Sequence, residues 1–273
     1  MASIRLPTQG NASRSELFAQ FDEDFAFTLA CNDKDRRRVY RLRYQVYCQE
    51  IGYNPPNEEA AALELDAYDE NALHCLLEHR KSGIAAGCFR LVLPAPERTR
   101  PEIRLPLQEY GGRSLTHKSL HPNHLPIDKI CEISRFATAR EFRNHPINHE
   151  TLDEDNLAYE FSPAERRVFP LLTIALFLAT HALVDLVDRR HIFAMMTSRL
   201  PRLLAMSGFR FRRIGDTIEL HGQRNAFYID NFVAQQDMHR ELVDPYRRIR
   251  QQLAGQLPRV LADRDLLNLV EQS

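Results

Sequence analysis

An α+β fold on a mixed sheet is what this 273-residue chain predicts. The order of elements is strand–helix, hairpin, strand–helix, strand–helix and two closing strands, not the strict alternation of a doubly wound sheet. No G-x-G-x-x-G or Walker loop marks a nucleotide site. Hydrophobic residues make up 44% of the chain, enough for the core of one large domain.

Taken in order, Ser15 caps a short helix to Phe21, and Phe25, Phe27 and Leu29 alternate as a first strand. Asp33 opens a helix to about Glu50, with Val39, Leu42, Val46 and Tyr47 at three- and four-residue spacing. Arg43 and Tyr47 share a face of it. Gly52 ends it and Asn54-Pro55-Pro56-Asn57 is a loop. Glu64-Leu65-Asp66 reads as extended, with Glu64 and Asp66 on one side. A hairpin follows: Ala72 to His79, the turn Arg80-Lys81-Ser82-Gly83, then Ile84 to Leu93 with Arg90 inside it.

Residues 94–128 form a long loop with a helical turn near Leu107. The strand Lys129–Thr138 has isoleucines at 130 and 133, which break period two and predict a kink or bulge. After a polar loop over 140–163, Ala164–Arg189 is the longest helix and His191–Thr197 a short strand. Leu200–Met206 is a helix ended by Gly208, and Phe209–His221 and Ala226–Val233 are two closing strands. The organisation predicted is a domain over 1–233 and a charged helical extension over 234–273.

A formal net charge of −1 gives no whole-chain case for nucleic acid or an anionic membrane. Five scattered cysteines without a C-x-x-C pair suit reduced thiols and a cytoplasmic location. Met1–Gln20 has no apolar stretch of the secretory kind. Val168–Val187 is apolar but carries Pro170, His181 and Asp185, so it reads as a core helix, not a membrane span. His117, His121, His124, His145 and His149 lie in polar loops and read as solvated, leaving no metal site.

Arg43, Arg90 and Arg135 each sit inside an apolar element, and Glu64, Asp66 and Asp69 cluster ahead of the hairpin. Charges in such places are costly unless paired. The expectation is that these six groups and Glu132 meet in one network.

Leu42-Arg43-x-x-Val46-Tyr47, Tyr53, Glu64-x-Asp66-x-x-Asp69, Gly87-Cys88-Phe89-Arg90-Leu91 and Glu132-Ile133-Ser134-Arg135-Phe136 together resemble the signature of the autoinducer (acyl-homoserine-lactone) synthases. Residues from Leu203 through His221-Gly222-Gln223-Arg224 are closer to a sister group, the acyltransferases associated with PEP-CTERM/exosortase systems, related also to N-acyl amino acid synthases. The resemblance implies a GNAT-like fold, with helices flanking the mixed sheet, and acyl transfer from a thioester, typically on an acyl carrier protein, to an amine. It places Arg43, Tyr47, Tyr53, Glu64, Asp66, Asp69, Arg90, Glu132 and Arg135 at signature positions. The synthases usually have Phe at the position of Tyr47 and Trp at that of Tyr53, on the amine side, which weakens the case for adenosyl-methionine as acceptor.

Such chemistry needs a neutral amine, a base for its proton and donors for the oxyanion. Glu132 is the candidate base and Glu64 the second. Backbone N–H groups freed by a bulge near Phe136 are the candidate oxyanion donors. The three arginines organise the acids, with one available to an acceptor carboxylate. Alternation turns Cys131 away from Glu132, as a structural thiol. Residues 189–213 hold seven arginines and no acid, and Arg199, Arg202, Arg210 and Arg212 are candidates for docking an acidic carrier protein. Phe169, Leu172, Leu176 and Phe177 are candidates for an acyl tunnel wall. The predicted function is N-acylation of an amino acid or similar small amine, with the thioester as co-substrate and no cofactor. The alternatives are an acyl-homoserine-lactone synthase and a non-catalytic GNAT-like module that binds acyl groups or carrier protein.

Overall fold

The structure, a computed structural model, describes residues 13–53, 62–94, 104–143 and 159–263. The Asn54–Asn57 loop, His145 and His149 lie outside the described residues.

Helix α1 (Arg14–Asp24) is capped by Ser13 rather than Ser15, since Ser13 and Glu16 exchange side-chain-to-backbone bonds in a capping box. Strand β1 (Phe25–Leu29) follows, then α2 (Asp33–Arg43), capped by Asn32. The helix does not run on as α to Glu50. Directly after Arg43 it widens into a π-helical stretch, Tyr44–Glu50, and the Ile51 N–H reaches Val46 O, five residues back.

The hairpin is β2 (Ala72–His79) and β3 (Ala85–Val92), and β4 is Ile130–Thr138. Between β3 and β4 lies α3 (Pro106–Gly111). The predicted long helix is divided into α4 (Pro163–Val168), a 3₁₀ turn (Phe169–Leu171) and α5 (Leu172–Leu186). Pro170, which has no N–H to donate, sits at that break. Then come β5 (His191–Met196), α6 (Arg199–Ala205), β6 (Arg212–Arg213), β7 (Ile218–Glu219), β8 (Gln223–Asp230), α7 (Asn231–Asp237), α8 (Arg240–Ala254) and α9 (Leu257–Asp263). The predicted strand 209–221 is thus only two short pieces. The strand predicted to Val233 ends at Asp230, whose carboxylate accepts from the Phe232 and Val233 N–H groups and starts α7.

The sheet order is β1-β2-β3-β4-β5-β8-β6, with β7 on β8. Every pairing is antiparallel except β4–β5, and that parallel pair is short. Ile130, Cys131 and Glu132 face His191, Ile192 and Phe193; beyond them β4 follows β3, β5 follows β8, and the sheet splits.

The bulge in β4 is not at Ile133. Ile130 packs into a smaller cluster with Leu105, Leu107, Phe193 and Tyr228, and Ile133 into the main core, so odd spacing simply serves two cores on opposite faces. The irregularity comes later. Arg90 pairs with Ser134 and Cys88 with Ala137, leaving Arg135 and Phe136 opposite Phe89 alone. Arg135 takes φ +51°, a left-handed conformation that costs a non-glycine residue about 1–2 kcal/mol.

Pro163–Leu186 is long and apolar enough to cross a membrane, but 83% of its apolar 18-residue window is buried within the fold, where α5 packs against β3, β4 and α8. The C-terminal helices share that core through Leu242, Tyr246, Ile249 and Leu253. They also close the open side of β1. Gln252 and Gln256 accept from the Phe27 and Leu29 N–H groups, and Gln256 donates to Phe27 O.

Candidate functional site

Six charged side chains meet beside the split and form a closed ring. Arg43 Nε lies 2.5 Å from Glu64 Oε2, and Arg43 Nη1 lies 2.7 Å from Asp69 Oδ1. Arg90 Nη1 bonds Asp69 at 2.8 Å and Asp66 at 2.6 Å. Arg135 reaches Asp66 at 2.9 Å and Glu64 at 2.8 Å. Each arginine thus holds two carboxylates and each carboxylate two arginines, which removes net charge from a cluster in which Arg43, Glu64, Asp69 and Arg90 are buried and Asp66 and Arg135 partly so. The acid spacing has a local cause as well. Asp66 and Asp69 cap their own 3₁₀ turn (Ala67–Asn71), Asp66 accepting from Tyr68 N–H and Asp69 from Asp66 N–H. Leu65, between Glu64 and Asp66, is exposed.

Burial alone would raise the Asp66 and Asp69 carboxyls, but the arginine charges override it and hold both below the usual carboxylate range. The same attraction overrides burial to raise Arg43 and Arg135. Each guanidinium of the ring is already neutralised by two carboxylates, so an acceptor carboxylate would meet no net positive charge there. Glu64 is likewise committed, one oxygen to Arg43 and the other to Arg135, so it is a poor second base.

Glu132 stands beside the ring, not in it. Its Oε2 accepts from the Leu107 N–H at 2.7 Å, one of the donors left over at the start of α3. It is 2% exposed, and burial pushes its carboxyl up to about 8 against the downward pull of that bond and of Arg90 and Arg135. This is a carboxyl that exchanges protons near neutrality. Cys131, its neighbour, faces the main core, where burial raises the thiol, as expected of a structural group.

Two cavities open at the split. One, of about 230 Å³, is lined by Tyr47, Tyr53, Glu64, Asp66, Tyr110, Glu132, Arg135, His221 and Arg224 among others. The second, of about 120 Å³, is mainly apolar: Ile133, Phe136, Phe177, Ala194, Met196, Leu200 and Phe211 line it. Tyr47, Ser134, Arg135, Met195 and Arg224 border both. Of the four predicted tunnel residues only Phe177 lines the second cavity. Phe169 packs on Phe25, Phe142 and Phe161, and Leu176 lies over Gly87, where an added Cβ would come within 2.7 Å of it.

The widened turn after Arg43 carries Tyr47 to the bulge, where its hydroxyl donates to Phe136 O at 2.9 Å. Tyr53 stacks on His221, ring centroids 3.6 Å apart. Arg199, Arg202, Arg210 and Arg212 are all exposed, and Arg199, Arg210 and Arg212 are chain neighbours of Leu200 and Phe211, which line the apolar cavity. Sequence reasoning assigned no role to Leu107, Ser134, Tyr110, Met195, His221 or Arg224. Arg90 Nε donates to Ser134 Oγ at 3.0 Å, which ties the ring to β4.

Away from the cleft, Asp24, His79 and Glu165 are buried together with ligand-type atoms within 4.8 Å of one another. The Lys81 ammonium lies 3.1 Å from Glu165 and 3.5 Å from Asp24 and supplies the compensating charge.

Residues 42–151 match the family model for the acetyltransferase (GNAT) domain. No curated protein matches the chain. Among solved structures, the AHL synthase LasI aligns with a TM-score of 0.54 at 16% identity, covering 79% of this chain and 94% of that one. The fold is a GNAT fold. The CoA-dependent acyl-homoserine lactone synthase BjaI, with MTA, aligns at TM-score 0.53 and 16% identity, over 83% of this chain and 89% of that one. FeeM, an N-acyl amino acid synthase from uncultured soil microbes, aligns at 0.52 and 12%, over 78% and 94%. In GNAT terms, the ring, the bulge and both cavities all lie at the splayed β4–β5 pair.

Proposed function

We propose that the protein is an N-acyltransferase that moves a fatty acyl group from an acyl carrier protein or CoA thioester to the amine of an amino acid or similar small acceptor. The observation that carries this reading is the join between the two cavities: a polar one holding Glu132 and an apolar one behind Phe177 and Phe211 meet at the bulged residue Arg135. An acyl chain fits the apolar side and an amine the polar side. The amine nitrogen attacks the thioester carbonyl, Glu132 takes its proton, and the C–S bond breaks to release the thiol, which recovers a proton from Glu132 or solvent. Backbone donors at the bulge stabilise the oxyanion as it forms. The likeness to FeeM and to the synthases supports acyl transfer to an amine, and Tyr47 and Tyr53, in place of the synthases' usual Phe and Trp, favour a small amino acid over adenosyl-methionine.

An acidic carrier protein is the donor that suits the exposed arginines near Leu200 and Phe211 in the chain. The five cysteines are free thiols, in keeping with work in a reducing cytoplasm. The test is product mass spectrometry after incubation with long-chain acyl thioester and a mixed pool of amines. An N-acyl amino acid is expected. Acyl-homoserine lactone alone would favour the rival synthase, and no thioester turnover with any amine would favour a binding module.

A further inference from the structure

The polar cavity carries one cation that the ring does not use. Arg43, Arg90 and Arg135 are each neutralised by two carboxylates. Arg90 retains an unpartnered Nη2, but Arg90 does not line the cavity. Arg224 does line it, and among the described residues no carboxylate lies within ion-pair distance of its guanidinium. Its recorded contacts are two long ones to backbone carbonyls, Leu220 O at 3.4 Å and His221 O at 3.3 Å. Half-buried at the junction of the two cavities, Arg224 keeps most of its five donors unused.

Since the ring is neutral as a whole, the groups left to meet a bound molecule are the proton-accepting Glu132 carboxyl at one place on the cavity wall and the Arg224 guanidinium at another. A free amino acid carries the complementary pair, an amine to give a proton and a carboxylate to accept from a guanidinium. We propose that Arg224 binds the acceptor's α-carboxylate, making Arg224 the residue that restricts the acceptor to free amino acids. This rests on the acyltransferase reading above. A planar guanidinium can hold a carboxylate through two parallel bonds, which fixes the direction of the neighbouring amine as well as its affinity.

The test measures thiol release from a long-chain acyl thioester with amino acids and with their carboxamides, in wild type and Arg224→Gln. Wild type is expected to favour the acid over its amide by about 10- to 100-fold in kcat/KM, the size of one lost charge-assisted contact. In Arg224→Gln that ratio falls towards one, mainly through the KM for the acid, while the KM for the thioester stays put. Equal use of acid and amide by wild type overturns the inference and leaves acyl transfer standing. A variant in which only the thioester KM rises also overturns it, and moves Arg224 to the donor side. Failure of every amine, acid or amide, removes the acyltransferase reading and this inference with it.

Discussion

The two arms of the split sheet are built in opposite ways. The β1–β4 arm, with α2 and the segment 64–71, supplies all six members of the ion ring, each bonded to two partners of opposite charge, and Glu132, held by the Leu107 N–H; five of the seven groups are buried. The β5–β8 arm faces it with Met195, Leu220, His221 and Arg224, which are more exposed, on a strand and a turn held by neutral and side-chain-to-backbone bonds instead of buried ion pairs. The contrast assigns different tasks. Reacting groups need positions fixed to a fraction of an ångström, which a closed ring provides. On the acyltransferase reading proposed above, recognition of acceptor and acyl chain, which tolerates adjustment, falls to the more exposed arm.

The largest effect expected is at the rigid arm. Glu132→Gln should lower kcat/KM about 10²- to 10⁴-fold. Kinetics and thermal melts on the same samples separate chemistry from folding. In the wild type the Glu132 carboxyl ionises near 8 when folded and lower when unfolded. Its contribution is therefore neutral at low pH, and it destabilises increasingly as pH rises from the ordinary glutamate range to about 8. The variant should melt at or above wild type at pH 8. Wild-type kcat/KM should rise with pH through about 8, an inflection the variant lacks. A variant that keeps both activity and inflection would remove Glu132 from the mechanism.

Next comes the ring itself. Asp69→Asn strips one charge from two buried arginines and should cost about 3–5 kcal/mol, a fall in Tm of roughly 10 °C. Asp69 is depressed in the folded state, so its stabilisation is complete above the unfolded carboxylate range and fades only as pH falls below about 4. The variant should therefore differ most from wild type at neutral pH and converge with it in acid. A constant difference across pH would mean that packing, not charge, holds the ring.

Smaller effects belong to the adaptable arm. Ala194→Leu fills the apolar cavity and should cut kcat/KM for long-chain thioesters roughly tenfold while sparing short ones, read from a chain-length series. An unmoved profile would place the acyl chain elsewhere. Least of all, Arg202→Glu with Arg212→Glu should raise the KM for a carrier-linked thioester a few-fold at low ionic strength, with the difference closing as salt is added. Equal KM values at low salt would remove the patch from donor docking.

The rigid arm was also the legible one. Arg43, Arg90 and Arg135 stand out in the sequence because a charge inside an apolar element demands a partner, and Glu64, Asp66 and Asp69 were the nearest candidates. The hairpin was plain from its alternation and turn. Glu132 misled, because its partner is a backbone N–H from Leu107, and backbone donors leave no mark in residue identity. The π-helical stretch was hidden for a related reason: Val46 and Tyr47 keep helical spacing whichever hydrogen bond closes the turn. Arg224 was seen only as part of a resemblance. Its importance depends on which other arginines are already occupied, and that is a property of the fold, not of any stretch.

Gln252 in α8 and Gln256 in the turn after it give the C-terminal region a second consequence. By bonding the outward N–H groups of β1 with Oε1 atoms two residues apart on the strand, Gln252 and Gln256 occupy the template that an incoming strand would need. A chain cut before Arg240 loses the core packing of α8 and uncovers that edge in the same stroke. Such a truncation should drive the protein into strand-to-strand self-association, visible by light scattering, whereas Gln252→Ala with Gln256→Ala isolates the edge from the packing. If so, α8 and α9 serve as a stopper against polymer growth, and a fusion or tag that levers them away carries the same hazard as deleting them.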